Sequence, residues 1–169
     1  GGGRRFDPAH DAFKKFDHST AVKTVSSMKS SEQRRTRTAL SELYPPLAGF
    51  LSSDEVKEGG GFKVAKCHGG LHLLVLNGAP LFFQPDEAGP YIPHLKLLHR
   101  FPDALPRWQT DQGAIKPVLG GAQVMCPGLR SDASKMDEAA AGECVAVTAD
   151  GMGSAMGIGW TLQSSGDVA

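Results

Sequence analysis

Apolar positions along the chain fall into short runs whose spacing changes, and each change predicts a different element. Residues 31–51 predict helix. SSEQ sets Ser30 and Gln33 at capping-box spacing, RRTRTALSEL follows, and Tyr44-Pro45-Pro46 stops the run because proline lacks a donor and crowds the preceding turn. LAGFL (47–51) predicts a second short helix, and SSDEVKEGGG (52–61) a loop closed by three glycines. FKVAKC (62–67) alternates apolar and polar residues, as a half-buried strand does. LHLLVLNGAPLFF (71–83) sets two apolar runs around Asn77-Gly78, a strong short-range hairpin signal, and Pro80 confines the returning strand to an edge or a late start. QPDEAGP (84–90) is a further loop. YIPHLKLLHRFPDALP (91–106) predicts a helix with Pro93 near its first position, where proline is tolerated. Ile92, Leu95, Leu98 and Phe101 lie at helical spacing, Lys96, His99 and Arg100 project from another face, and Pro102 stops the helix.

The rhythm then shortens. RWQTD (107–111) reads as a strand, and GAIKPVLGGAQVMCPGL (113–129) as one turn of helix from Gly113 to Gly120-Gly121, followed by a turn at Pro127-Gly128. Both Gly120 and Gly121 are free to take positive φ there. ECVAVTADGMGSAMGIGWTLQ (143–163) predicts a hairpin turning at Asp150-Gly151, its four glycines between 151 and 159 suiting close packing or bulges. A small β-barrel of short strands with one helix fits this half, so the fold class is α+β.

Composition narrows the function classes. Of 169 residues, 40% are hydrophobic and 21% charged, as in a chain that buries a core. Eighteen basic residues balance eighteen acidic ones, so no overall cationic field announces a nucleic-acid partner. The distribution is uneven: residues 1–116 carry sixteen Lys and Arg against twelve Asp and Glu, and residues 117–169 carry two against six. An anion-binding surface therefore avoids the last third except at Arg130 and Lys135. Arg34, Arg35 and Arg37 give the first helix a cationic side, which reads foremost as a solvated face. GGGRRFDPAHDA (1–12) reads as a flexible leader.

Catalytic chemistry finds little purchase. Cys67, Cys126 and Cys144 are odd in number and widely spaced, which points to a reducing compartment and a cytoplasmic location. No run approaches the roughly 20 apolar residues of a membrane span. His68 stands beside Cys67 and His72 lies four residues on, which would put both on one face of a strand, but a structural zinc site wants four ligands, and they read as ordinary strand residues. Cys126 has no neighbouring His or Asp to activate it. GGGFKVAKC leads into a strand rather than a helix and is no phosphate loop. No catalytic residue, metal or cofactor is implied. The glycine-flanked segment offers another chemistry: small residues let a polyanion approach the backbone, helix-end amides donate to phosphate, and Lys116, Arg130 and Lys135 supply charge around it.

The motifs AFKKFD (12–17), LNGAPLFFQ, YIPHLKLLHRFP, the run from Trp108 through GAIKPVLGGAQVMCPGL, and ECVAVTADG occur together in one order. From about Phe13 onward the chain resembles the malignant T-cell-amplified-sequence family, which joins an N-terminal α/β domain to a C-terminal PUA pseudo-β-barrel that binds RNA. The resemblance implies a leader over 1–12, the N-terminal domain over 13–104 and the PUA domain over 105–169. It implies a non-enzymatic translation factor that pairs with the density-regulated protein on the small ribosomal subunit. Its roles there are non-standard initiation, reinitiation, and post-termination tRNA release and recycling, with rRNA and tRNA as RNA partners. RNA contact is carried onto Gly113, Lys116, Gly120, Gly121 and Arg130, and the basic residues Lys96, Arg100, Arg107 and Lys135 extend that set.

Three departures from the family stand out. Ala12 occupies the place of an initiator Met, the sequence ends where the family continues into a further strand, and Pro117 sits inside the PUA helix. An interior proline costs up to about 3 kcal/mol, so the helix is expected to start at Gly113 as N-cap or to bend there. Two other functions fit a PUA segment: an RNA-modifying enzyme, for which about 90 preceding residues are too few and no aspartate motif is visible, and a protein-binding adaptor, favoured by the acidic last third.

Overall fold

The computed structural model describes residues 21–168, apart from Gln123 and the Cys126 side chain. The leader at 1–12, the AFKKFD motif and the Cys126 thiol lie outside the described residues.

Two sheets organise the chain. The first runs β1 (Val22–Ser27), β2 (Lys63–Cys67), β3 (His72–Leu76), β4 (Ala79–Gln84), β5 (Ile92–Pro93) in that spatial order, every neighbour antiparallel. Between β1 and β2 lie α1 (Ser30–Leu43), a 3₁₀ turn (Pro45–Leu47), α2 (Ala48–Leu51) and α3 (Asp54–Glu58). After β5 comes α4 (Leu95–Arg100). The second sheet contains β6 (Arg107–Thr110), β7 (Lys135–Met136), β8 (Cys144–Ala149) and β9 (Gly157–Trp160) in the order β7-β6-β8-β9, with β6 parallel to β8. α5 (Ile115–Leu119) follows β6, and α6 (Ser165–Val168) follows β9.

The hairpin is built as its sequence demands. Asn77 at φ 50° and Gly78 at φ 79° form the two-residue turn joining Leu76 to Ala79; two positive φ values match the twist of the flanking strands. Contrary to the expectation from Pro80, the returning strand is neither an edge nor late to start: β4 runs from Ala79 between β3 and β5, and Pro80 is accommodated where the β3–β4 register slips.

Register separates two faces of the first sheet, since residues directly opposite one another share a face. Val64, Leu74 and Phe82 lie on one face, in a core with Leu40, Leu47 and Leu51 from the helices and Leu97 and Leu98 from α4. Ala65, Leu73 and Phe83 lie on the other, against Cys144, Ile158 and Trp160 of the second sheet. Phe83 and Trp160 meet edge to face, centroids 6.3 Å apart. His99 Nε2 lies 2.9 Å from the Ala155 carbonyl, adding a polar contact between the halves.

Four further expectations are corrected. Ser30 and Gln33 make no capping box: Lys29 is the N-cap of α1, without a side-chain cap bond. The Gln33 amide instead bonds the Phe62 backbone, donating from Nε2 to Phe62 O (3.0 Å) and accepting from Phe62 N (2.9 Å). Residues 54–58 are helical rather than looped, with Asp54 and Glu55 in the first turn, where acids favour the helix dipole. The helix expected over 91–106 is confined to 95–100. Ile92 and Pro93 pair with Phe83 and Phe82 as a strand, and His94 caps α4 by accepting from Lys96 N at Nδ1 (3.2 Å). Finally, Gly113 is not an N-cap. It lies in a 3₁₀ turn (Gln112–Ala114) capped at Asp111, and α5 begins at Ile115. Pro117 is then the third residue of a new α segment, where its absent N–H costs little.

Candidate nucleic-acid interface

The glycine corner ends α5. Gly120 closes the helix at φ −80°, so only Gly121, at φ +87°, uses the left-handed freedom expected of both. Gly113, Lys116, Gly120 and Gly121 are all exposed. A Cβ on Gly121 would meet nothing within 4 Å, whereas one on Gly120 would press on the Pro117 carbonyl at 3.3 Å. The corner is open to solvent, held from beneath by Ile115 and Val118 packed on Val147, Ala149 and Met156.

Its amides are not free donors. Gly120 N bonds Lys116 O (3.1 Å), Gly121 N bonds Val118 O (2.9 Å), and Ala122 N bonds Pro117 O (2.9 Å). This is a helix C-terminus, whose partial charge repels phosphate. The expectation that backbone amides at this corner bind anions is therefore corrected: attraction there must come from side chains.

The nine candidate residues do not converge on one spot. Lys116, Gly120 and Gly121 sit on α5 and its end, over the interior face of the second sheet. Arg107 shares a strand face with Gln109, and Gln109 lies opposite Lys135, so Arg107 and Lys135 occupy the face turned away from the Trp108–Met136 core. Arg130 follows a 3₁₀ turn whose Leu129 is buried in that core. Lys96 and Arg100 lie on α4, which touches the second half through His99.

Arg100 and Arg107 already have carboxylates. Arg100 donates both terminal nitrogens to Glu55, at 3.0 and 2.9 Å, and lies over the rings of Phe50 and Phe101. That bidentate bond holds the Glu55 carboxyl below its usual range and the guanidinium above its own. Arg107 pairs with Asp103 at 3.4 Å. Lys116 has no carboxylate within ion-pair distance among the described residues.

Sequence reasoning missed the apolar part of this surface. Leu119 is 64% exposed and Met125 67%, on either side of the Gly120-Gly121 pair in sequence. VLGGAQVM carries the signal, because glycines interrupt the periodicity that would bury these side chains. His68 is exposed in a 3₁₀ turn, while His72 meets Gln84 Oε1 (3.2 Å) and Glu87 Oε1 (3.1 Å), so the two share no ligand geometry. Among the described residues no three His, Cys, Asp or Glu side chains converge as metal ligands, and no helix is long and apolar enough to cross a membrane.

Comparisons with known proteins agree with this architecture. Residues 16–102 match the model of the Pre-PUA-like domain, and residues 105–169 match the model described as "elF2D, PUA domain". Malignant T-cell-amplified sequence 2 of Mus musculus is 38% identical over 156 residues, covering 92% of this chain and 85% of its own. The sequence 1 homolog of Drosophila melanogaster is 39% identical over 158 residues with the same coverage. A conserved PUA domain protein from Thermoplasma acidophilum superposes with a TM-score of 0.63 at 22% identity, over 86% of this chain and 84% of its own, a likeness of fold. With two domain models in tandem and curated relatives matched over nine-tenths of its length, the chain belongs to the malignant T-cell-amplified sequence family.

Proposed function

We propose that this chain is a non-enzymatic, cytoplasmic translation factor that binds the small ribosomal subunit through its PUA domain. Family membership and the PUA domain support an RNA-binding, translation-related role. The finer reading is that residues 105–169 contact rRNA and tRNA while residues 13–104 dock protein. With the density-regulated protein the chain acts in non-standard initiation, reinitiation, and post-termination tRNA release and recycling. The observation that carries the RNA reading is the open corner at Gly120-Gly121, with the exposed Lys116 beside it bound to no carboxylate among the described residues. Arg130, Arg107 and Lys135 extend the basic surface, and Lys96 and Arg100 are its outlying members. Such binding draws on phosphate neutralisation and weakens with salt, with exposed bases setting what selectivity there is.

The test is co-sedimentation with small ribosomal subunits across a salt series, with and without the density-regulated protein. Lys116→Glu combined with Arg130→Glu weakens sedimentation of the chain alone and leaves the fold intact. Equal sedimentation of variant and parent at moderate salt overturns the reading.

The exposed Leu119 and Met125 favour a second reading for the same corner. Apolar side chains this accessible mark protein contact surfaces, and the density-regulated protein is the proposed occupant. Leu119→Ser with Met125→Ser then abolishes capture of that partner while the chain's own RNA binding persists. Loss of RNA binding with retained partner capture would reverse the two assignments.

A further inference from the structure

A second surface lies on the other domain, along α1. Arg35, Ala39 and Leu43 form one wall of a groove of about 220 Å³, and Gly89, Pro90 and Tyr91 form the opposite wall. The lining is mainly apolar, and Leu43 at its rim is 54% exposed although α1 buries Leu40 beneath it.

The loop wall is fastened from within. Gln84 Nε2 donates to Gly89 O (2.6 Å), the Tyr44 hydroxyl donates to Tyr91 O (2.8 Å), and Glu87 meets His72 (3.1 Å). A wall tied at three points is preformed, so a ligand spends little free energy ordering it.

Charge gives the groove a direction. Arg35 lines it on the helix side, and Arg34 lies beside Arg35 on the adjoining surface of α1, which Glu42 also lines; neither arginine has a carboxylate within ion-pair distance among the described residues. Glu87 in the loop and Glu32 in the first turn of α1 both act on Tyr91: burial first, then these two carboxylates, raise its hydroxyl above the usual tyrosine range. A polyanion laid along the groove would meet both acids. A segment with a single carboxylate placed at Arg35, followed by an apolar side chain, meets the cation and then the Ala39–Leu43 strip.

We propose that the groove between α1 and the 89–91 loop docks a short acidic segment of a partner protein, a carboxylate of that segment on Arg35 and its leucine or phenylalanine beside Leu43 and Pro90. The site is separate from the PUA corner and does not depend on what that corner binds.

The probe is a synthetic peptide in which a glutamate precedes a leucine and a phenylalanine. It is compared with a version carrying lysine for the glutamate, a version carrying serines for the apolar pair, and a single-stranded RNA oligonucleotide. Amide shifts of the isotope-labelled chain read the result. The acidic peptide shifts residues 35, 39, 43, 89 and 91, and the lysine and serine versions do not. Leu43→Ser with Arg35→Glu weakens the acidic peptide at least about tenfold, which corresponds to about 1.4 kcal/mol. Arg35→Glu alone moves the preference towards the lysine peptide. Both positions are exposed, and an unchanged spectrum outside the groove verifies the fold; should the double variant unfold, Leu43→Ser alone decides. Absence of shifts, shifts elsewhere, equal binding of the lysine peptide, or an RNA footprint on these residues overturns the proposal.

Discussion

The side-chain amide of Gln33 and the backbone of Phe62 form a closed two-bond ring, 3.0 and 2.9 Å, that pins the start of α1 to the entry of β2. Phe62 is wholly buried, so its backbone groups have little water to turn to. Without the amide the Phe62 N–H is left unmet and Phe62 O keeps only the 3.5 Å bond from Met28 N, and an unmet buried group costs roughly 1–3 kcal/mol. Gln33→Leu is therefore expected to lower the unfolding midpoint by several degrees, and Gln33→Glu to lose the donating half alone and fall between. Gly61→Ala acts on the same clasp, because Gly61 has φ +72° and a Cβ there would collide with the Gln33 side chain. Differential scanning calorimetry checks the series, and a Gln33→Leu midpoint equal to the parent's would show that the clasp contributes nothing.

That clasp also shows where the sequence was legible and where it was not. Asn77-Gly78 announces its turn because both residues needed there are local, and the same holds for the alternation of β2. Ser30 and Gln33 carry a genuine local signal, but a buried backbone 29 positions away outcompetes the cap. Pro93 reads as a helix start because helical spacing continues through it, whereas pairing with Phe82 makes it a strand residue. The family and the PUA segment are legible in contiguous motifs. That Lys116 and Lys135 belong to different faces is not, since it depends on the β6–β7 register; nor is the α1 groove, whose walls come from distant parts of the chain.

His94 supplies the pH dependence. Its Nδ1 must be unprotonated to accept from Lys96 N, and burial, then Lys96 and His99, lower its pKa below the ordinary histidine value. A depressed folded value means the unfolded chain binds the proton first, so stability rises with pH across that interval. The cap's contribution is complete above about pH 6.5, the unfolded histidine value, and is lost as pH falls through the lower folded value. Thermal midpoints from pH 7.5 down to 5 should fall more steeply for the parent than for His94→Asn, which keeps an acceptor without a titration. Parallel curves would show that the cap is not the source.

Phe83 and Trp160 couple the two halves. An edge-to-face aromatic pair adds about 0.5–1.5 kcal/mol beyond its buried area. A double-mutant cycle with Phe83→Leu and Trp160→Leu is expected to return a coupling of about 1 kcal/mol. Additive losses would mean that each ring stabilises only its own half.

The two faces of the second sheet make the RNA reading divisible. Lys116 stands near the start of α5, over the interior side, and Lys135 stands with Arg107 on the opposite face. If RNA lies along the glycine corner, Lys116→Gln lowers the slope of log affinity against log salt by about 0.7–0.9, because one phosphate is no longer neutralised. Lys135→Gln then changes the slope little. Arg107→Gln does less than its charge suggests, because Asp103 already shares that charge, and an exposed pair of this kind contributes only about 0–1 kcal/mol. Arg100→Gln releases Glu55 from its partner and lowers stability slightly while leaving the slope unchanged. Should Lys135 and Arg107 carry the slope and Lys116 leave it untouched, RNA lies on the strand face that carries Arg107 and Lys135. The corner bounded by Leu119 and Met125 would then belong to the protein partner.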